Sequence, residues 1–220
     1  SSLVQFSENL KIQYRYIMRD TPLLVTRMAI SVIFGAMLSI LFWDTPHDPF
    51  GAQSRVALAF ITLVYSGYTS MLNIPKIVDL RAVHFREYSA RMYRLVPYFA
   101  SITVAEFPAQ ICQSMLYVLC YYFFTGLDPN MWTFVKFSLC NLLLAVTCNA
   151  FSGLMAVVCP NGDTAMILNT VLNAVFMLFC GFLIPYETIP TYWRWLYYLS
   201  MFRYPLGFLV TNEMLDEPYD

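Results

Sequence analysis

One carboxylate stands out as a group able to do chemistry. Glu106 lies in the apolar run "VAEFPAQICQSMLYVLCYYFF", two residues before Pro108. An ionised acid at the centre of a bilayer costs about 2.5–3.5 kcal/mol on insertion scales. Thr103, Gln110, Gln113 and Tyr117 recur around it every three or four residues and so share one helix face. That polar seam should turn toward protein or water, never toward lipid. Two roles stay open for Glu106: a structural or gating group inside a bundle, or direct contact with a substrate or proton. Pro108 removes a backbone bond to the carbonyl near Val104 and predicts a kink. Weaker polar stripes follow in other apolar runs: Thr62, Ser66, Thr69 and Asn73; Asn141, Asn149 and Ser152; Asn169 and Asn173. Such groups also act as glue between helices, worth roughly 0.6–2 kcal/mol each.

Other catalytic devices are missing. No Gly is followed by Lys, so no phosphate-cradling G-x-x-x-x-G-K-[ST] loop is present, and neither G-x-S-x-G nor H-E-x-x-H occurs. Two histidines, His47 and His84, are too few for a histidine-rich metal site, and no metal is expected. The six cysteines all lie in or beside apolar runs without a C-x-x-C pair, which reads as small apolar filler.

The elements that must position these residues follow from composition. The chain has 220 residues, is 59% hydrophobic and 12% charged, with a mean hydropathy of +0.56. Ordinary soluble domains are about 45–50% apolar and about 25% charged. This much apolar surface needs a bilayer as solvent. The net charge of −1 gives no attraction to nucleic acid. A spanning helix takes roughly 20 mainly apolar residues, and five segments qualify: 22–43, 56–74, 96–124, 132–158 and 164–184. Their starts carry helix punctuation: Asp20 or Thr21 before Pro22, Asp128 with Pro129, and Asp163 after the turn "CPNG". The first run is too long for a signal peptide and reads as a retained span.

Lys and Arg orient the spans. With the N-terminus cytoplasmic, the inner side holds Lys11, Arg15, Arg19, Arg27, Lys76, Arg81, Arg86, Arg91 and Arg94, and the outer side Arg55, Lys136, Arg194 and Arg203. Residues 6–19 read as an interfacial amphipathic helix. The segment 185–212 is dense in Trp and Tyr, broken by Pro185, Pro190 and Pro205, and reads as a re-entrant or surface-lying outer hairpin. Ser31, Gly35 and Ser39 form a small-residue stripe, suited equally to packing within one chain or to dimerisation. The basic, aromatic segment 76–94 suits docking on another protein or anchoring on lipid headgroups.

At these residues the chain resembles the ABC-2 type membrane domain of the G subfamily of ATP-binding cassette transporters, the white and pleiotropic-drug-resistance group. The likeness is carried by "RDTPLLVTRMAISVIFGAMLSILFW" in the first span, by "FREYSARMY" followed by "AEFP", by "FTGLDP", and by "CGFLIPYETIPTYWRWLYYLSMFRYPLGFLVTNEM". The resemblance implies an all-α polytopic exporter domain, with five of six helices here and the sixth after the N-E-M element. It implies an ATPase domain, with ATP and Mg²⁺, outside these 220 residues, and pairing with a second transmembrane half as homodimer, heterodimer or fusion. Membrane lipids are the surroundings and the plasma membrane is the expected location.

Carried over by position, Phe60, Val64, Tyr65, Tyr68, Asn169, Asn173 and Met177 would face a central substrate cavity. Phe182 and Leu183 would form an apolar valve, and Arg86, Glu87 and Tyr88 would belong to the coupling segment 76–94. The residue types suit a flat apolar cargo such as a lipid, sterol or aromatic drug. The expected function is the permease part of an ATP-driven exporter working by alternating access. The alternative is a carrier or channel not driven by ATP, for which an acid and a broken helix inside the membrane would speak. A lipid-modifying enzyme is disfavoured by the scarcity of His and Asp inside the spans.

Overall fold

The structure is a computed structural model that describes residues 2–43, 49–90, 95–127 and 130–214. Among these residues every regular element is helical: α1 (Ser2–Arg19), α2 (Thr21–Leu41), α3 (Pro49–Thr69), α4 (Ile74–Ser89), α5 (Leu95–Tyr122), α6 (Met131–Val158), α7 (Gly162–Leu178), α8 (Arg194–Leu199) and α9 (Arg203–Met214). A bilayer explains this outcome. Backbone groups without water must bond within their own segment, which a helix achieves.

Among the described residues three stretches are long and apolar enough to cross a membrane: Thr21–Leu41, Gln53–Arg81 and Met131–Val158. The second joins α3 to α4 through a 3₁₀ turn at Ser70–Asn73, giving one rod. The fourth apolar helix, α7, is shorter, ending at Leu178 and not at residue 184. The chain turns at Cys180–Gly181 instead, where Gly181 takes φ 98°, a backbone region that suits glycine. Helix α5 has the length, 28 residues, but its polar seam lowers its hydropathy. It runs on as helix through Pro108.

Local chemistry sets the helix starts. Asp20 is the residue before α2, with Pro22 in the first turn. Asp128 and Pro129 lie outside the described residues. Helix α6 is instead capped by Asn130, whose side chain accepts from the Trp132 N–H at 3.2 Å. Asp163 is not the cap of α7. It stands in the first turn, behind Asn161, whose N–H donates to Thr164 Oγ1 at 3.4 Å. Asp163 there favours the positive end of the helix dipole.

Helix α5 is the central post. It packs on α1, α2 and α6, while α6 also meets α3, α4, α7 and α9. The stripe of small residues explains the α2–α5 contact. A Cβ on Gly35 would come within 2.7 Å of Cys120 Cβ, and Ser39 Oγ donates to the Cys120 carbonyl at 2.5 Å. The stripe therefore packs within the chain. Behind it lies an aromatic core in which Tyr117, Tyr121, Tyr122, Phe137 and Phe202 are fully buried. Ile33, Ile40, Leu143 and Val171 point outward and are exposed, as a lipid-facing surface requires.

Candidate functional site

Glu106 is held in a clamp of two cations. Its Oε2 accepts from Arg27 Nη1 of α2, and its Oε1 from Lys76 Nζ of α4, each at 3.0 Å. Arg27 and Glu106 are only 2% and 5% exposed. The Lys76 ammonium also lies 5.8 Å from the Tyr16 ring centroid of α1. Four helices thus meet at one carboxylate, at the end of the bundle where α2 and α5 begin and α3 gives way to α4. In a low-dielectric interior such charges persist only when paired and hydrogen-bonded. Neither cation is recognisable as a partner from sequence, because both read as inward-biased charges beside spans. The one available signal is that Arg27 stands inside the apolar run that opens at Pro22.

From the clamp the polar seam continues along the α3, α5 and α6 interface. Gln110 and Glu106 are buried, and Gln113 Nε2 donates to Tyr65 Oη at 3.3 Å. Tyr65 Oη also pairs with Ser31 Oγ at 2.6 Å, and its ring stacks on Tyr117 at 3.8 Å between centroids. Ser66 donates to Asn141 Oδ1 and Asn141 Nδ2 to Ser114 Oγ, each at 2.9 Å. Ser70 pairs with Ser152 at 2.8 Å, and Asn73 Nδ2 donates to Asn149 Oδ1 at 2.5 Å. Thr103 departs from the expected seam. It is exposed, and its hydroxyl donates to the Phe99 carbonyl of its own helix at 3.1 Å. At about 100° per residue it stands about 60° from Glu106 on the helix wheel, at the margin of the buried arc.

The residues expected around a substrate cavity divide. Tyr68 is exposed, at 44%. Phe60 and Val64 are half-buried on the same helix, α3. Tyr65, Asn169, Asn173 and Met177 are interior. Asn173 Nδ2 donates to the Asn169 carbonyl at 3.0 Å. Met177 closes on Gly67, where a Cβ would meet its Cε at 3.2 Å and Phe202 Cζ at 3.1 Å.

The pair expected to form a valve also divides. Phe182 stacks on Phe60 with 4.7 Å between centroids, joining two groups that lie far apart in sequence, while Leu183 is exposed. Gly181 holds the turn before them, and a Cβ there would meet the Tyr197 ring at 3.3 Å. In the segment that follows, Arg203 lies over Tyr197, Tyr198 and Tyr204, its guanidinium carbon 4.0, 4.8 and 5.3 Å from their ring centroids. Cation–π contacts of this kind let a charge rest among aromatics. Leu206 and Leu209 of α9 are buried, and α9 packs on α3 and α6.

The residues expected to belong to a coupling segment lie at the C-terminal end of α4. Arg86 and Tyr88 are exposed and Glu87 is half-buried. Residues 91–94, with Arg91 and Arg94, lie outside the described residues. The helix is anchored behind this end. Arg81 Nη1 donates to the Pro160 carbonyl at 3.2 Å, and the His84 ring stacks on Tyr98 at 4.2 Å. Burial lowers the His84 pKa below 6.5, although Glu87 pulls it upward.

Comparison with known proteins places this geometry. A model of the ABC-2 type transporter family matches residues 4–214. Over 200 residues, 91% of this chain, it is 28% identical to ABC transporter G family member 8 of Arabidopsis thaliana. It is 31% identical over 204 residues to ABC transporter G family member 3 of Dictyostelium discoideum, again over 91% of the chain. It is 30% identical over 198 residues, 90% of the chain, to the ABC transporter ATP-binding protein/permease wht-1 of Caenorhabditis elegans. The matched regions make up 34%, 15% and 30% of those relatives, so the chain spans about a third of their length at most.

Proposed function

Since the chain belongs to the ABC-2 type transporter family, we propose that it is the membrane-spanning permease of an ATP-driven exporter. The observation that carries this reading is the rod formed by α3 and α4 together with its clamp. The exposed end of α4, with Arg86, Glu87 and Tyr88, is the surface that an ATPase domain would touch. Lys76 at the other end of α4 binds the carboxylate that also holds Arg27. A push on α4 is then delivered to α2, α3 and α5 together, because breaking a buried ion pair costs several kcal/mol.

The cargo surface of this reading is the half-buried and exposed flank of α3. Tyr68, Val64 and Phe60 line it, and Phe182 closes it at one end through its stack on Phe60. These faces suit a flat apolar cargo, such as a lipid, sterol or aromatic drug. Relative movement of two such halves would alternate access from the inner to the outer side. ATP and Mg²⁺ belong on a nucleotide-binding domain beyond these residues, and N-terminus inside at the plasma membrane is the matching topology. The relatives' printed names include a combined ATP-binding protein/permease, which supports a motor on the same polypeptide. The pairing of Glu106 with two cations favours a structural clamp over the titrating acid of a proton-driven carrier.

The test is substrate-stimulated ATP hydrolysis by the purified native gene product in nanodiscs. Stimulation by sterols or aromatic drugs, abolished by mutation of the phosphate-loop lysine of its ATPase domain, is expected. No nucleotide binding and no co-purifying ATPase would overturn the reading.

A further inference from the structure

Between α2, α3, α5 and α6 lies a part-open polar cleft with about 20 Å³ of free space. Its walls include Arg27, Tyr65, Asn73, Gln110, Asn141 and Asn149. Ala145 is the one lining residue without a polar side chain. A polar void inside a membrane protein needs an occupant, because unmet polar groups in a low-dielectric medium are costly.

The hydrogen-bond inventory identifies that occupant. Most of the lining groups satisfy one another, through the Ser66–Asn141–Ser114, Gln113–Tyr65 and Asn73–Asn149 contacts. Arg27 spends only Nη1 on Glu106, and its Nε and Nη2 have no partner. Asn73 donates to Asn149, while its Oδ1 has none. Both residues are more than nine-tenths buried, at 2% and 4% exposed. The occupant must therefore accept from a guanidinium and donate to an amide oxygen. An anion can do only the first. A cation is repelled by Arg27, and a lipid tail does neither. Water does both. A buried water needs about 10–15 Å³ of such space and two to four polar partners, so this cavity holds about one or two molecules.

We infer that the cavity is a built water site, in which one or two waters bridge Arg27 of α2 to Asn73 in the 3₁₀ turn that joins α3 to α4. The site hydrates the rear of the Arg27–Glu106–Lys76 clamp. It adds a second link between α2 and α3 beside the direct Ser31–Tyr65 contact. The inference stands independently of ATP-driven transport, since it rests on the cavity and its two unmatched residues.

X-ray hydroxyl-radical footprinting of the full-length protein in nanodiscs tests it, because bound water generates the label beside it. Tyr65 lines the cavity, whereas Tyr117, stacked on it, does not. Both are nearly inaccessible from outside, at 5% and 0%. Tyr65 should be labelled at least severalfold faster than Tyr117. Ala145→Leu, which fills the void, should bring the two rates together. If that variant does not fold, Asn73→Leu should do the same by removing the acceptor. Equal labelling of the two tyrosines in the unmodified protein would overturn the inference. So would a Tyr65 rate that changes severalfold when chloride is replaced by gluconate, which would identify an anion.

Discussion

Replacing Glu106 by Gln tests whether the clamp holds the bundle together. The change keeps shape and removes one charge. Arg27 and Lys76 then face an amide at positions now 3.0 Å from a carboxylate. Removing one partner of a buried ion pair costs about 3–5 kcal/mol, because the remaining charge is left uncompensated. The two cations do not share the penalty equally. Lys76 is 11% exposed, and its stem can carry the ammonium outward, whereas the Arg27 side chain is 3% exposed. Arg27 therefore bears the cost. For a domain of this size each kcal/mol shifts the thermal midpoint by about 2–4 °C, which gives a fall of about 6–20 °C for Glu106→Gln. The assay is intrinsic tryptophan fluorescence on the purified protein in nanodiscs, at one fixed scan rate, since unfolding of such proteins is irreversible. Arg27→Met leaves Glu106 paired with Lys76 and should cost less, about 1.5–3 kcal/mol for the lost charged hydrogen bond. The double variant Arg27→Met/Glu106→Gln removes the trapped cation and should melt above Glu106→Gln alone. A Glu106→Gln midpoint within about 2 °C of the unmodified protein would refute the reasoning. A double variant less stable than the single one would do so as well.

Three further outcomes follow from single contacts. Gly35→Ala should force α2 and α5 apart, since its Cβ would stand 2.7 Å from Cys120 Cβ and 3.1 Å from the Tyr117 carbonyl oxygen. Overpacking of this kind costs about 1–3 kcal/mol, read as a lowered thermal midpoint, while Gly207→Ala, with nothing within 4 Å, should be neutral or slightly stabilising. Because burial lowers the His84 pKa below 6.5, its neutral form is the one that folding favours. The stability it contributes is present above pH 6.5 and is lost as pH falls toward the lowered value. Acidification from pH 7.5 to about 5.5 should therefore lower the midpoint more in the unmodified protein than in His84→Gln, and equal slopes would contradict this. Tyr68→Ala should change the profile of cargo-stimulated ATPase activity at unchanged basal rate; an identical profile would remove Tyr68 from the cargo surface.

The helical membrane class was legible because it depends on quantities that add along the chain. An apolar excess and runs near 20 residues admit few folds in a bilayer. Boundaries were legible where local chemistry sets them, as at Asp20–Pro22. They failed where a turn intervened, as at Gly181, which ends α7 six residues before the expected limit. The polar face of α5 was visible as a period, apart from Thr103 at its margin. Its purpose was not visible, since Arg27 and Lys76 stand 79 and 30 positions from Glu106 and only tertiary packing joins them. The same holds for Tyr65, whose helix position fits an open cavity but whose hydroxyl is bound by Ser31 and Gln113 in the interior. The polar stripes that line the cavity between Arg27 and Asn73 were legible, but the cavity was not, because it is defined by space between four helices.

The most direct test of the permease reading is ATP-dependent uptake of a labelled sterol or aromatic drug into inside-out vesicles carrying the native gene product. The proton gradient is collapsed by an ionophore, and Glu87→Ala is run in parallel. The account predicts uptake that requires hydrolysable ATP, survives the ionophore, and falls severalfold in Glu87→Ala while ATP hydrolysis continues. Uptake that ignores ATP and disappears with the proton gradient would contradict it.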